Sequence, residues 1–313
     1  MAKTAWLFPG QGSQAVGMGM AFAKASPLAE KILEEADEAL GFALSKIMAD
    51  GPEETLKLTE NTQPAILTHS VMTLEVCRDR LPKPDFVAGH SLGEYSALVA
   101  AGSLSFTDAV RTVRKRGKSM QEAVPVGIGA MAAVIGMSAT DVEAGCSEVS
   151  SATGKIVVPA NYNGAGQVVI AGHADAVDAA IEALKGMGGR KMIKLPVSAP
   201  FHSPLMEPAR LAMEPVLKAL EFKAPICPLI NNVDARSATD PEALRSGLIR
   251  QISGAVRWED TMKYLLGLGV ATFIELGPGK VLGSIATRMA KDGGVDIRAI
   301  SIGAPEDFAS CGF

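Results

Sequence analysis

Short apolar runs alternate with helical patterns at both ends of this chain of 313 residues. The strand patterns lie at 4–8, 85–90, 271–276 and 296–301, and helical patterns follow at 91–101 and 281–290. Strands that alternate with helices favour a mainly parallel sheet with helices on both faces. The sequence therefore predicts the α/β class.

The middle of the chain has a different order of elements. Strand patterns at 130–136, 155–160, 167–171 and 191–197 enclose helical patterns at 140–149 and 174–185. This order, βαββαβ, is that of the ferredoxin-like unit. We therefore expect a large α/β domain, formed by 1–125 and 198–313, that carries an inserted small subdomain at 126–197. We expect the active site to lie in the cleft between the large domain and the subdomain.

Composition excludes several classes of protein. Apolar residues make up 48% of the chain and charged residues 20%, which favours a substantial core over disorder. A net charge of −4 argues against a general nucleic-acid binder, and no stretch approaches the roughly 20 apolar residues of a membrane span. The apolar run before Pro9 is too short for a signal peptide.

The pattern of the cysteines indicates the cellular compartment of the protein. The four cysteines are scattered without the spacing of a zinc site or a disulfide framework, so reduced thiols and no metal are expected. We therefore expect a cytoplasmic protein without nucleic-acid or membrane partners. No pattern in the sequence requires more than a monomer.

A GxSxG motif, Gly89-His90-Ser91-Leu92-Gly93, stands between a strand pattern and a helical pattern. This context is that of a nucleophile elbow and favours an α/β-hydrolase-like large domain. Ser91 would then lie at a helix N-terminus, where free N–H groups favour developing negative charge. The alternative is a serine N-cap with glycines that serve packing alone.

A serine hydroxyl needs a base to act as a nucleophile, and His202 is the best candidate. It lies between two prolines, where the last strand of the insert delivers the chain to the expected cleft. The alternative is an ordinary loop histidine. His69 is better interpreted as a core residue, His173 as a residue at a helix start, and His90 as a neighbour that points away from the serine. No acidic residue can be nominated as the orienter of His202, which weakens a full Ser-His-Asp triad.

Arg116 lies on the apolar face of its helix. In the helical pattern 106–121 it shares a stripe with Ala109, Val113 and Met120. A guanidinium that points inward keeps its charge and needs an anion. If no protein carboxylate supplies the anion, a substrate carboxylate can.

The loop Gly10-Gln11-Gly12 lacks the spacing of a dinucleotide or phosphate-binding fingerprint. Gln11 is either a residue of a mobile loop or a backbone N–H donor to an oxyanion. The sequence leaves both interpretations open.

Several motifs occur together and in a fixed order: GQGSQ, GHSLGEYSAL, RGKSMQ, PANYNGAGQVVIAGH, VSAPFHS and ELGPGKVL. With them the chain resembles the malonyl-CoA:acyl-carrier-protein transacylases, and more broadly the acyltransferase domains of fatty-acid and polyketide synthases. The resemblance spans nearly the whole chain.

The resemblance implies a role for most of these residues. Ser91 is expected to be the acylated nucleophile, and His202 the general base and acid, oriented by backbone carbonyls. The N–H groups of Gln11 and Leu92 are expected to form the oxyanion hole. Arg116 is expected to hold the malonyl carboxylate.

The resemblance also implies the surroundings of the acyl group and the partners. Gln251 matches a family glutamine near the histidine, Phe201 resembles the bulky residue that crowds an α-methyl group, and Met120 is expected to contact substrate. The expected partners are malonyl-CoA and acyl carrier protein, with no metal or redox cofactor, in fatty-acid elongation. Basic residues at 190, 191 and 194 are either a docking rim for the acidic carrier or solvated charges.

The sequence leaves three alternatives open. A serine thioesterase or hydrolase acting on acyl-CoA would use the same nucleophile with water as the acceptor. A stand-alone acyltransferase could serve a polyketide synthase. A carrier-binding subunit without catalysis would bind tightly and leave Ser91 unmodified.

Overall fold

The structure is a computed structural model that describes residues 2–197 and 199–312. The expected domain border at Ser198 lies outside the described residues, as do Met1 and Phe313. The strands are β1 (Lys3–Phe8), β2 (Phe86–Gly89), β3 (Gly129–Ile135), β4 (Val157–Gly164), β5 (Gln167–His173), β6 (Lys191–Lys194), β7 (Leu229–Ile230), β8 (Ser237–Ala238), β9 (Val270–Leu276) and β10 (Arg298–Ile302).

Helices flank these strands along the chain. They are α1 (Met20–Ala25), α2 (Pro27–Leu40), α3 (Leu44–Asp50), α4 (Glu53–Lys57), α5 (Thr59–Cys77), α6 (Gly93–Ala100), α7 (Phe106–Glu122), α8 (Ala139–Thr153), α9 (Ala174–Gly186), α10 (Glu207–Ala219), α11 (Pro241–Gln251), α12 (Trp258–Gly267), α13 (Val281–Asp292) and α14 (Pro305–Ser310). Short 3₁₀ turns lie at Arg78–Arg80 and Pro204–Met206.

The large sheet has six strands in the order β10-β9-β1-β2-β7-β8. All neighbouring pairs are parallel except β7 with β8. Strand β1 lies inside the sheet and is buried from Thr4 to Phe8, as expected for a strand covered on both faces. The predicted α/β class is confirmed.

The small sheet is antiparallel, with the order β4-β5-β3-β6. Its buried face packs with α8 and α9 around a core of its own, separate from the cores of the large sheet. Two backbone hydrogen bonds tie β4 to residue 256 of the large domain. The N–H of Val256 donates to the carbonyl of Ala160 at 2.8 Å, and the N–H of Tyr162 donates to the carbonyl of Val256 at 2.9 Å.

Local chemistry explains where several elements begin and end. The Ser105 hydroxyl accepts the N–H of Asp108 at 3.1 Å and caps α7. The last strand of the insert ends at Lys194, three residues before the pattern predicted, and Pro196, which lacks an N–H, follows it. Helix α6 begins at Gly93, two residues later than predicted, so Ser91 stands in the turn before it.

All four cysteines are buried, and none of them is paired with another in the structure. Among the described residues, no helix has the length and apolar character needed to cross a membrane.

Candidate active site

Ser91 lies in a turn that requires glycine two residues before it and two residues after it. A Cβ on Gly89 would come within 1.9 Å of the Gly93 backbone, and a Cβ on Gly93 would come within 2.2 Å of the Phe8 carbonyl. Ser91 itself has φ of 52°, a left-handed conformation that is unfavourable for serine. The loop therefore passes sharply from β2 into α6 and holds the hydroxyl at the carboxyl end of the sheet.

His202 contacts this hydroxyl directly. The Nε2 atom of His202 lies 2.7 Å from Ser91 Oγ. On the other side of the ring, Nδ1 lies 2.9 Å from the carbonyl oxygen of Gln251 and 3.1 Å from that of Gly254. Carbonyl oxygens only accept hydrogen bonds, so Nδ1 carries the proton and Nε2 is free to accept from the serine.

Burial keeps His202 neutral. The side chain is 4% exposed, and burial, with the nearby Arg116 charge as the second cause, lowers its pKa to about 3. The two backbone carbonyls act in the opposite direction. A neutral imidazole with a lone pair directed at a hydroxyl is the form that a general base requires.

Arg116 reaches the same hydroxyl from α7. Its Nη2 donates to Ser91 Oγ at 3.0 Å and to Gln251 Oε1 at 2.8 Å, and its Nη1 donates to Gln63 Oε1 at 2.8 Å. The side chain is 1% exposed and lies 5.7 Å from the Tyr95 ring centroid. These oxygens are neutral, and among the described residues no carboxylate forms a salt bridge with Arg116. The anion predicted from the sequence is therefore not supplied by a direct protein contact.

Gln251 joins the base and the cation. Its backbone carbonyl accepts from His202, and its side-chain oxygen accepts from Arg116. It is fully buried at the end of α11. Gln251 therefore contacts both the imidazole and the guanidinium.

Two backbone N–H groups near the serine are available to a ligand. Among residues 2–197 and 199–312, the N–H groups of Gln11 and Leu92 donate to no protein acceptor. The Gln11 side chain donates to Thr59 Oγ1 at 3.3 Å, which ties this loop to α5. The N–H of Ser91 is already used, because it donates to Asn232 Oδ1 at 2.7 Å.

A cavity of about 420 Å³ opens onto these groups. Of the predicted site residues, six line it: Gln11, Ser91, Arg116, Met120, Phe201 and His202. Gln251 and Leu92 are buried beside it. Strands of the small sheet contribute to its wall, as do residues 195–197 after β6 and the start of α13. The cavity thus lies between the two sheets.

This arrangement can form and break an ester on Ser91. It combines a hydroxyl, a neutral imidazole, two free N–H groups and a buried cation at one end of a cavity. The cation favours an acyl group that ends in a carboxylate.

The comparison with known proteins agrees with this chemistry. Residues 5–302 match the acyl transferase domain family. The chain belongs to this family. It is an acyltransferase.

Named relatives are similar over nearly the whole length. The malonyl CoA-acyl carrier protein transacylase of Bacillus subtilis (strain 168) is 46% identical over 306 residues, which are 98% of this chain and 95% of that protein. The transacylase of the same name from Escherichia coli (strain K12) is 47% identical over 292 residues, 92% of this chain and 93% of the other.

Solved structures have the same fold. The acyl-carrier-protein-S-malonyltransferase of Bartonella henselae is 45% identical, with a TM-score of 0.94 and coverage of 98% of both chains. A malonyl-transacylase in complex with its type II PKS acyl-carrier protein is 41% identical, with a TM-score of 0.94 and coverage of 99% of this chain and 98% of that one.

Two polar residues of this acyltransferase site were not predicted from the sequence. Gln63 accepts from Arg116, and Asn232 accepts the N–H of Ser91 while its Nδ2 donates to the Gly89 carbonyl at 2.7 Å. Gln63 lies within α5 just before a proline, in a stretch of polar residues that are buried. Asn232 follows the two-residue strand β7, which is too short to be recognised by its pattern. No local sequence pattern marks either residue.

The remaining histidines lie away from the reacting hydroxyl or face other partners. His69 is 3% exposed, donates from Nε2 to the Gly303 carbonyl at 2.9 Å, and has a pKa lowered to about 4 by burial. His173 precedes α9 without capping it, and its Nδ1 accepts the N–H of Ile156 at 3.0 Å. His90 lines the cavity, and its Nε2 lies 2.9 Å from Asn163 Oδ1.

Proposed function

We propose that this acyltransferase moves the malonyl group of malonyl-CoA to the phosphopantetheine thiol of acyl carrier protein, through a malonyl ester of Ser91. One observation carries the proposal. Ser91 Oγ lies between a neutral imidazole at 2.7 Å and a guanidinium nitrogen at 3.0 Å. A nucleophile in this position can attack a thioester whose other end is a carboxylate.

Acylation begins when the malonyl carboxylate binds Arg116 by charge-assisted hydrogen bonds. This pairing offsets part of the positive charge that lowers the pKa of His202, so the correct acyl group also makes the base stronger. His202 Nε2 takes the Ser91 proton as Oγ attacks the thioester carbonyl. The N–H groups of Gln11 and Leu92 donate to the oxyanion, and one such donor is typically worth about 3–4 kcal/mol.

The second half-reaction repeats the geometry with a new thiol. The tetrahedral intermediate expels coenzyme A, which receives the proton held by His202. The phosphopantetheine thiol then gives its proton to His202 and attacks the malonyl ester. The second tetrahedral intermediate breaks its bond to Ser91 Oγ, which takes the proton back from His202, and the malonyl thioester of the carrier leaves. This is a ping-pong mechanism. Coenzyme A enters as part of the substrate, and the proposed steps use no metal or redox cofactor.

The cavity supports the proposed choice of acyl group. Met120 follows Arg116 by one helical turn on the buried face of α7, so it would pack against the malonyl methylene. Phe201 is 8% exposed and adjoins the base, where its ring would crowd an α-methyl group. Gln251 would hold the guanidinium of Arg116 in place through its side-chain oxygen.

We infer an α/β-hydrolase-like large domain, 1–125 and 198–313, because the serine elbow follows a central parallel strand. We infer a ferredoxin-like insert, 126–197, because its four strands are antiparallel in the order β4-β5-β3-β6 with two helices on one face. A supply of malonyl groups for fatty-acid elongation, a cytoplasmic location and a monomeric state remain predictions.

Intact-mass measurement after mixing with malonyl-CoA tests the function. We expect a stable malonyl adduct on Ser91 that disappears when the phosphopantetheine form of acyl carrier protein is added, and no adduct in Ser91→Ala. Rapid release of free malonate without carrier would indicate a hydrolase. Tight carrier binding without any adduct would indicate a binding subunit.

A further inference from the structure

Glu94 is a buried carboxylate that the proposed mechanism does not use. It lies in the first turn of α6, three residues after the nucleophile, and is 1% exposed. Its Oε2 accepts the N–H of Asn232 at 3.0 Å and Nε2 of Gln251 at 2.9 Å, while its Oε1 has no hydrogen-bond partner. A buried acidic group beside a catalytic site without a cation in contact requires a physical reason.

Gln251 links Glu94 to the acyl-binding cation. Its Nε2 donates to Glu94 Oε2 and to the Ser91 carbonyl at 2.9 Å, and its Oε1 accepts from Arg116 Nη2 at 2.8 Å. The side chain of Gln251 therefore lies between an acidic and a basic group, with its amide dipole aligned between them.

The Glu94 carboxyl group and the Ser91 carbonyl, both acceptors, together set the orientation of the Gln251 amide, because Nε2 donates to each of them at 2.9 Å. An amide can rotate by 180° and exchange its NH₂ and its oxygen. With Glu94 as an acceptor, the NH₂ must face Glu94, and the oxygen must then face Arg116. The opposite rotamer would place an oxygen against the carboxylate and NH₂ donors against the guanidinium.

This arrangement is compatible with either ionisation state of Glu94. Burial raises the pKa of this carboxyl to about 7, and the Gln251 and Asn232 hydrogen bonds and the Arg116 charge act against that rise. A proton on the unpartnered Oε1 leaves Oε2 free to accept. The orientation of Gln251 is then preserved.

We propose that Glu94 is a positioning residue for acyl-group selectivity, which acts by orienting Gln251 so that its oxygen holds Arg116 toward the malonyl carboxylate. The proposal rests on the proposed function, because it concerns how the same site selects its acyl group. One side chain separates Glu94 from Arg116, so the carboxyl group acts on the cation without occupying the guanidinium donors.

The test compares Glu94→Met with the wild type. Methionine has a similar length and no oxygen to accept from Gln251. The rates of Ser91 acylation by malonyl-CoA and by acetyl-CoA are measured by intact mass. We expect the malonyl-to-acetyl ratio of rates to fall by about tenfold or more, the usual consequence of losing one hydrogen bond to a charged group. The rate of acylation by acetyl-CoA, which has no carboxylate, should fall much less.

Two further variants separate positioning from folding. Glu94→Gln keeps one oxygen at the position of Oε2, so the ratio should return to within about threefold of the wild type. Glu275→Met removes another buried carboxylate, one that accepts the N–H groups of Leu282 and Gly283 at the start of α13. Since the start of α13 lines the cavity, that variant should lower stability and change the malonyl and acetyl rates alike, so that their ratio stays unaltered.

A double-mutant cycle identifies the route through Gln251. If Glu94 acts through that amide, Gln251→Leu lowers the ratio and the addition of Glu94→Met lowers it no further. Additive effects would overturn the proposal, as would a Glu94→Met ratio equal to that of the wild type. If Glu94→Met does not fold, Glu94→Ala takes its place in the same cycle. Absence of any malonyl adduct in the wild type would instead reject the proposed function.

Discussion

At the scale of single residues, Arg116 is a full charge whose partners are two amide oxygens and a hydroxyl. These groups position the guanidinium without neutralising it. Under the proposed function, this unpaired charge is available to an anion that arrives with the substrate.

Replacement of Arg116 by alanine removes this buried positive charge. We expect malonyl transfer to fall by about 100-fold, the upper range for loss of a charge-assisted hydrogen bond. Acetyl transfer should change far less, because acetyl-CoA has no carboxylate, so the gap between the two substrates narrows. Steady-state kcat/KM for both substrates measures this. An unchanged preference for malonyl in the variant would refute the role of Arg116.

The lowered pKa of His202 predicts an unusual pH dependence. An imidazole with its ordinary pKa, near 6.5, would lose base activity as the pH falls through that value. With the pKa lowered to about 3, acylation should remain on its plateau from pH 8 to pH 5. Arg116→Gln removes the second cause of the shift, so its acid limb, measured with acetyl-CoA, should move upward. A wild-type limb centred near pH 6.5 would contradict this prediction.

The same shift affects stability with a defined sign. Between about pH 3 and 6.5 the unfolded chain binds a proton at residue 202 that the folded protein does not bind. This histidine therefore lowers the free energy of unfolding as the pH falls through that window. Above it, the histidine is neutral in both states and contributes no pH dependence.

Periodicity and motif context identified the residues that lie on regular elements. Arg116 was recognisable because an arginine in an apolar helical stripe keeps its charge inside the protein, and Ser91 because a strand and a helix surround it. Gln63 and Asn232 could not be found in this way. Their importance comes from contacts with residues 53 and 141 positions away along the chain, which no local pattern encodes.

At the scale of elements, α5 and α7 pack closely enough that one position between them requires glycine. A Cβ on Gly117 would lie 2.6 Å from the Thr59 carbonyl oxygen and 2.8 Å from Glu60 Cα. Since α5 carries Gln63 and α7 carries Arg116, the distance between these helices sets the hydrogen bond that holds the guanidinium.

Gly117→Ala should separate the two helices. We expect a loss of about 1–3 kcal/mol in the free energy of unfolding, the usual cost of an overpacked contact, and a fall in malonyl transfer. Gly186→Ala is the matched control, since α9 leaves open space within 4 Å of that Cβ. It should be neutral or stabilising. Urea unfolding of both variants measures the difference, and equal stabilities would contradict the packing argument.

Element types were easier to predict than element ends. The alternation of patterns predicted the parallel sheet and the strand–helix order of the insert. The two-residue strands β7 and β8 carry too little pattern to be predicted, and α10, α11 and α12 lie in a region where no strand alternation marks them. Helix α6 begins late because residues 91 and 92 form the turn that exposes the Ser91 hydroxyl.

At the scale of the whole molecule, the docking of an acidic carrier requires a basic area on the surface of this acidic protein. The net charge is −4, so a carrier of the same sign is repelled at long range unless basic residues surround the cavity. Arg190, Lys191 and Lys194 are exposed where the insert leads to the cavity, although Lys194 also pairs with Asp178 at 2.7 Å.

Transfer to the carrier should therefore weaken as salt rises. We expect kcat/KM for acyl carrier protein to fall between low and physiological ionic strength, because the Debye length shortens from about 30 Å to about 8 Å. Charge reversal at Lys191 should reduce this salt dependence, while acylation by malonyl-CoA stays unchanged. A transfer rate that is insensitive to salt would reject docking through this rim.

The backbone hydrogen bonds between Val256 and strand β4 have a consequence for protein engineering. Val256 stands two residues after Gly254, whose carbonyl helps to orient the imidazole. Exchange of the insert for that of another family member, to redirect carrier choice, would therefore also disturb the base. A functional chimera needs donor backbone that reproduces the pairing at residues 160 and 162.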